Sequence, residues 1–299
     1  MAGSVSSNQL AEKMKVLKWI FGSLAAILIV VAAAALVMIN KGSEKFAQTY
    51  SMQYDDAMIR TDEEAMDTGR YLVQTHGCDS CHGENLGGRV MIDEAPFLVA
   101  ASNLTSGRGG VASRFSDADW LRAIRHGVGA DGRGLMIMPS EAYYFFSDEE
   151  VGAIIGYLKQ VDPVDNELPP VTMRALGNLI LGVSDDLKTA AQMIPREARP
   201  EMPEKGPTAE WGFYRTTVMC RVCHGADLKG AQPPDPNSPL APDLRVAAGW
   251  GLDSFVSAIR TGETPSGRLL DGQFMPWDEF KKMTDEDLEA MFRYLETID

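Results

Sequence analysis

At 299 residues with a 45% hydrophobic share, the chain has room for two modest domains and some connecting segments. Its formal net charge of −14 is carried after residue 39, since the first 39 residues hold three Lys against one Glu. That excludes the basic footprint of a nucleic-acid-binding protein and suits a soluble acidic surface open to a basic partner.

Residues 1–18 form a short tail with Lys13, Lys15 and Lys18. Residues 19–39, "WIFGSLAAILIVVAAAALVMI", contain no charge. As a helix this stretch spans about 31 Å, enough to cross a bilayer core. It is also longer than the ~7–15-residue apolar region of a cleaved signal peptide, so an uncleaved transmembrane anchor is expected. The lysine flanks orient it with the N-terminus inside. The rest of the chain is then expected on the periplasmic, extracytoplasmic side of the cytoplasmic membrane. Residues 40–67 are an acidic spacer, with the first helix of the next segment opening between Asp62 and Asp67.

Beyond the spacer the chain repeats itself. "GRYLVQTHGCDSCHGENLGG" pairs with "WGFYRTTVMCRVCHGADLKG", "AIRHGVGADGRGLMIMP" with "AIRTGETPSGRLLDGQFMP", and "SDEEVGAIIGYLKQV" with "TDEDLEAMFRYLETI". The repeats define one domain over 68–162 and a second over 208–299, joined by a Pro-rich linker over 163–207 in which 172–194 could form a helix or two. Each last helix has a cap signal, Ser147 with Glu150 and Thr284 with Asp287. Each also has apolar residues at helical spacing: Val151, Ile154, Ile155 and Leu158, then Leu288, Met291, Phe292 and Leu295. No convincing alternating strand appears. The fold class is mainly α: one N-terminal transmembrane helix followed by two helical domains.

All four cysteines sit in two Cys-x-x-Cys-His motifs, Cys78, Cys81, His82 and Cys220, Cys223, His224. Two thiols one helical turn apart match the two vinyl groups of a heme, and the following His meets the iron, so the pentapeptide reads as a covalent heme c attachment site. Two copies imply two covalently bound heme c groups. The zinc alternative needs four ligands close together, whereas 138 residues separate these pairs. A thioredoxin-type redox site would need a βαβ pattern that is absent.

Met138 and Met275 are in register across the repeat, each followed by Pro and each nine residues before a cap residue. They are the candidate sixth ligands, so the metal set is His82, Met138, His224 and Met275. Met136 is the alternative in the first domain. His76 and His126 have no histidine counterpart in the second repeat. Arg125 with Arg260, and Arg133 with Arg268, are candidate partners for heme propionates. Leu86 with Leu228, and Leu104 with Leu244, are candidate heme-packing or core residues.

On these motifs each repeat resembles a class I cytochrome c domain, and the whole is similar to membrane-anchored diheme cytochromes c. The resemblance implies a small helical fold around each heme, with first and last helices crossing at Gly69 and Gly212. It further implies a non-enzymatic single-electron relay between a membrane complex or dehydrogenase and a respiratory or photosynthetic acceptor or soluble redox carrier. With both axial sites filled, the iron offers no open position for a substrate. Two alternatives belong to other classes: a diheme peroxidase with a displaceable ligand, and a scaffold or assembly subunit with structural hemes.

Overall fold

The computed structural model describes residues 7–51, 58–185, 187–195, 197–233 and 238–298, without the side chains of 7–11. In chain order the helices and strands are α1 (Ser7–Phe46), α2 (Glu63–Thr75), α3 (Cys78–His82), β1 (Arg89–Glu94), β2 (Phe97–Ala101), α4 (Asp117–His126), α5 (Ser140–Tyr143), α6 (Asp148–Leu158) and β3 (Thr172–Met173). They continue with α7 (Ala175–Val183), α8 (Ala190–Met193), α9 (Ala209–Met219), α10 (Arg221–His224), a 3-10 turn (Leu244–Trp250), α11 (Leu252–Thr261), α12 (Trp277–Phe280) and α13 (Asp285–Leu295). The chain divides into two compact units, one of residues 1–48, 94–97 and 172–187, the other of 49–93, 98–171 and 188–299.

In the first unit, α1 is one helix of 40 residues, so helix continues from the expected tail through the apolar stretch into the spacer. Its apolar face is bare, and by length and composition it is long enough to cross a membrane. Within this unit α7 packs along the C-terminal end of α1.

Both repeats lie in the second unit, apart from residues 94–97. In the first, α2 crosses α6. Gly69 permits the crossing, because a Cβ there would stand 2.2 Å from the Ala153 carbonyl oxygen. In the second, α9 crosses α13 at Gly212, where a Cβ would stand 1.9 Å from the Ala290 oxygen. The two glycines are equivalent although they stand at different distances from their cysteines. The extra residue in the first repeat is absorbed after α2, where Gly77 takes a left-handed φ of 70° before α3 begins. In the second repeat α9 runs straight through Cys220 into α10.

The expected caps form. Asp62 caps α2 by accepting from the Ala65 N–H at 3.1 Å. Ser147 accepts from the Glu150 N–H, and Thr284 from the Asp287 N–H, both at 3.1 Å. The acids do not close the boxes, however. Their side chains turn inward to other partners, described below.

Two features depart from the sequence reading. Residues 89–101 and 172–173 form a small sheet in the order β1-β2-β3. β1 is largely exposed and in β2 only Val99 is buried, so the period-two burial that would have marked them is missing. The Pro-rich stretch after 162 is also more than a spacer. Residues 163–168 are sealed onto the first repeat: Asn103 Nδ2 donates to Val164 O at 2.7 Å, and Asn166 Nδ2 to the carbonyls of Gly87 and Gly88. Further on, the Ala190 N–H donates to Leu135 O at 2.8 Å. The prolines keep the strand extended, and asparagine side chains supply the pairing.

Candidate functional site

The loop after each Cys-x-x-Cys-His motif is built the same way twice. The Gly88 N–H donates to His82 O at 2.7 Å, and the Gly230 N–H to His224 O at 2.9 Å. The Leu104 N–H donates to Leu86 O at 2.8 Å, and the Leu244 N–H to Leu228 O at 2.9 Å. Leu86 and Leu228 are the only non-glycine residues with positive φ among the described residues, at 57° and 58°. A left-handed leucine costs about 1–2 kcal/mol, so its recurrence at the same point of both loops marks a required geometry.

These loops hold the two histidines by the ring as well as by the backbone. His82 Nδ1 lies 2.7 Å from Ser102 O, and His224 Nδ1 lies 2.8 Å from Pro242 O. A carbonyl partner makes Nδ1 the donor, which leaves the Nε2 lone pair free to bind a metal. Burial lowers the pKa of both rings, keeping them neutral, as a ligand must be.

The four cysteines are free thiols. Burial pushes Cys78 and Cys220 each up to about 12, and raises Cys81 and Cys223 as well. They are therefore neutral thiols in an apolar setting. Among the described residues, no group of three or more His, Cys, Asp and Glu side chains could hold a metal ion, which weighs against the zinc alternative. The donor set instead offers two thiols and one imidazole nitrogen per repeat, the complement of a covalently attached heme.

Met138 and Met275 occupy the same local turn. The Ser140 N–H donates to Met138 O at 2.8 Å, and the Trp277 N–H to Met275 O at 2.7 Å. Pro139 and Pro276 precede α5 and α12 with nearly identical backbone angles, ψ 58° and 59°. Both methionines are half-buried against the core. Met136 is half-buried two residues earlier, before this turn begins.

Arg125 and Arg260 both reach the start of the last helix of their repeat. Arg125 is fully buried, with its guanidinium on Phe146 O at 3.0 Å, Ser147 O at 3.1 Å and Asp148 at 2.8 Å. Arg260 makes the equivalent contacts to the carbonyls of Lys281 and Met283 and to Asp285. In both repeats the arginine ties the middle helix to the start of the last one; the buried Arg125 guanidinium must be paired, whereas Arg260 is half-buried. Arg133 pairs with Asp131 at 2.6 Å, and Arg268 is in an exposed loop. His76 caps the end of α2, its ring 4.8 Å from that of Phe146, and His126 ends α4 beside Tyr144. Leu86, Leu104 and Leu228 are buried, and Leu244 packs on the same core.

The two attachment helices meet the partner repeat through the same elements. In the first, Ser80 Oγ donates to Glu279, and Asp79 pairs with Lys282 at 3.0 Å, both partners lying at or just beyond α12. In the second, Arg221 lies 5.0 Å above the ring of Phe145, just beyond α5. Each Cys-x-x-Cys helix thus faces the segment that follows the other repeat's Met-Pro. Sequence reasoning had no signal for this, nor for Ser102 and Pro242, whose role belongs to the backbone carbonyl and so is indifferent to residue type.

A helix crossing at glycine, a Cys-x-x-Cys-His turn with its histidine ring fixed, and a Met-Pro turn before a last helix define a cytochrome c domain, and this chain has two. Residues 64–158 match the model of the cbb3-type cytochrome c oxidase subunit III family, and residues 214–299 match that of cytochrome c. Each repeat is thus a c-type cytochrome domain. The chain is similar to the fructose dehydrogenase cytochrome subunit of Gluconobacter japonicus, 25% identical over 77% of this chain and 52% of that protein. It is also similar to the alcohol dehydrogenase (quinone) cytochrome c subunit of Gluconacetobacter polyoxogenes, 24% identical over 87% and 62%. A third relative is the gluconate 2-dehydrogenase cytochrome c subunit of Pantoea cypripedii, 26% identical over 86% and 63%. The chain thus spans between half and two-thirds of the length of these relatives.

Proposed function

We propose that the protein is a membrane-anchored diheme cytochrome c that relays single electrons from a membrane-bound dehydrogenase to a respiratory acceptor or soluble carrier. One heme c would be tethered by Cys78 and Cys81 and the other by Cys220 and Cys223. His82 and His224 would hold the irons through Nε2, and Met138 and Met275 would supply the second protein ligands. When bound, each heme supplies a one-electron Fe(III)/Fe(II) couple. The chain's own residues do the rest. Ser102 O and Pro242 O fix the histidine rings, the Met-Pro turns present a soft sulfur that favours the ferrous state, and the buried helices exclude water.

The observation that carries the relay reading is the reciprocal facing of the two attachment helices, Asp79 with Lys282 and Arg221 with Phe145. Both attachment turns border the surface between the repeats, where an electron can pass from one center to the other. The dehydrogenase assignment of the relatives supports the partner class, and α1 supports the anchor, with the N-terminus inside and both repeats on the periplasmic side.

The test is purification of the full chain from its own membranes in mild detergent. The expected result is an intact mass that includes residues 1–39 and two heme groups that survive acidified organic solvent. Two reversible one-electron waves and a co-purifying dehydrogenase whose substrate reduces both hemes are expected as well. A single retained heme, or stoichiometric carbon monoxide binding by the untreated protein, would overturn the reading.

A further inference from the structure

Helix α7 lies between the two repeats in the sequence, and its composition does not suit a water-facing helix. Between Arg174 at its N-cap and Asp185 beyond its end there is no charged residue. Leu176, Leu179, Ile180, Leu181 and Val183 are distributed around it, yet only Gly177 and Gly182 are buried. Val183 is 66% exposed. A helix apolar on every face needs an apolar surrounding on every face.

Gly177 packs on the turn before β2, where a Cβ would stand 2.2 Å from the Pro96 oxygen, and the other packed side lies on α1. A Cβ at Gly42 would stand 1.8 Å from the Asn178 carbonyl oxygen, and one at Gly182 would stand 1.9 Å from the Met38 oxygen. These pairs, one turn apart on each helix and in opposite order, make the two helices antiparallel neighbours in backbone contact, the small-residue packing typical of helices in lipid. The covered positions of α1 at this end, Ala35, Met38, Ile39, Gly42, Lys45 and Phe46, recur at helical spacing. Ala35, Met38 and Ile39 belong to the uncharged stretch itself. Beside them Leu36 and Val37 are as bare as Val183, at 63% and 59% exposed.

The end of α7 is prepared for a dry setting. The last carbonyls of a helix lack intrahelical partners, and outside water each needs a donor. Lys45 supplies two of these donors: Nζ donates to Leu181 O at 2.9 Å and Ser184 O at 3.1 Å, and it pairs at 2.7 Å with Asp185, whose side chain is 90% exposed. Side chains on a helix lean toward its N-terminus, so Lys45 reaches down α1 to do this while its own Cα stays above the apolar stretch.

We propose that α7 is a second membrane element, a short helix of about 13 Å inserted at the outer boundary of the bilayer against α1, with Val183 deeper than Leu176. The occupant of its bare faces is lipid, continuous with the lipid around α1. The inference rests on reading α1 as an anchor.

The test uses full-length holoprotein in phosphatidylcholine–phosphatidylglycerol vesicles, its native cysteines bound in thioethers. Single cysteines at Ile29→Cys, Leu176→Cys, Val183→Cys and Leu269→Cys carry a nitroxide, and collisions with oxygen and with a water-soluble nickel chelate are compared. Ile29 reports the anchor and Leu269, 73% exposed in the other unit, reports water. The proposal expects Val183 to shift from the Leu269 ratio toward that of Ile29, with Leu176 between. A water-like Val183 beside a lipid-like Ile29 overturns it and leaves the anchor standing. A water-like Ile29 overturns both. A Val183 reached by neither collider means that protein covers α7, which also overturns it.

Discussion

Tyr71 in α2 donates its hydroxyl hydrogen to Asp287 in α13, and the relationship is returned: Tyr214 in α9 donates to Glu150 in α6. Each tyrosine comes from the first helix of one repeat, and each acid is the third residue of the last helix in the other. Each phenol oxygen also accepts a backbone N–H at the partner's cap, Thr284 at 3.2 Å and Ser147 at 2.8 Å. The acids that should have closed capping boxes join the two repeats instead. Between them lies Arg215, buried, 2.7 Å from Glu150 and 3.8 Å from Asp287. It breaks the symmetry, since the equivalent residue in the first repeat is Leu72. Burial pushes the Glu150 carboxyl up, opposed by Arg215 beside it.

Arg215→Leu restores the symmetry but strands two buried carboxylates. Loss of one partner of a buried ion pair costs about 3–5 kcal/mol, and that loss is expected in denaturant unfolding of the holoprotein. Adding Glu150→Gln and Asp287→Asn removes the stranded charges and is expected to recover most of it. A small cost for the single variant, unchanged by the added pair, would mean the arginine does not balance these acids.

The two tyrosines are not equal. Tyr71→Phe leaves Asp287 with the indole N–H of Trp211 at 2.6 Å and frees only the exposed Thr284 N–H, which water can satisfy, so a loss of about 1 kcal/mol is expected. Tyr214→Phe leaves Glu150 with Arg215 and the half-buried Ser147 N–H without its acceptor, so about 2 kcal/mol is expected. Equal losses in parallel unfolding curves would contradict the asymmetry.

The chemistry-bearing motifs and the repeat were legible because both depend on residue type at fixed spacing. Glycine at 69 and 212 was legible for the same reason, since close backbone approach excludes every side chain. What was hidden depends on the backbone or on distant partners. Ser102 and Pro242 act through carbonyls. The left-handed turns at Leu86 and Leu228 use a residue that gives no sign of it. Arg125 and Arg260 align well enough to suggest a shared role, but alignment does not say which acceptors lie in reach. The Tyr-to-acid exchange required knowing that two repeats dock reciprocally, although both tyrosines follow their glycine by two residues.

Gly69→Ala and Gly212→Ala test the helix crossings. Each added methyl meets a backbone carbonyl that cannot rotate away, so the helices must separate. A loss of about 1–3 kcal/mol is expected for each, read by thermal or denaturant unfolding. Gly22→Ala, with nothing within 4 Å of its Cβ position, should leave unfolding unchanged.

His76 predicts a pH dependence. Burial first, and Arg215 second, hold its pKa well below the ordinary imidazole value. Above about pH 6.5 the ring is neutral in both native and unfolded chains and contributes nothing to the slope. Below that value the unfolded chain takes up a proton that the native ring refuses, so stability falls with acid by up to about 1.4 kcal/mol per pH unit. His76→Phe keeps the ring packed on Phe146 and removes the titration. Between pH 7 and 5 its unfolding free energy should fall less steeply than that of the parent protein. Parallel slopes would show that the imidazole takes up its proton without unfolding.

The methionine assignments test the site and the relay together. A thioether is a weak, soft donor that favours ferrous iron, so it holds a heme potential high. Met275→His is expected to keep its center six-coordinate and lower that center's potential, and Met138→His to do the same at the other. Met275→Ala and Met138→Ala should each open one coordination position and gain carbon monoxide binding at one heme, since the two Met-Pro turns belong to different repeats. Electron flow through the chain should slow in every case, because one step of the relay has become uphill or its iron has changed spin. Met275 is the stricter test. In the first repeat Met136 stands two residues from Met138 and could substitute by a shift of the loop, so Met138→Ala should be paired with the Met136→Ala Met138→Ala double variant. If both single alanine variants and the double keep the parent's ferric charge-transfer band and both potentials, the sixth ligands lie elsewhere.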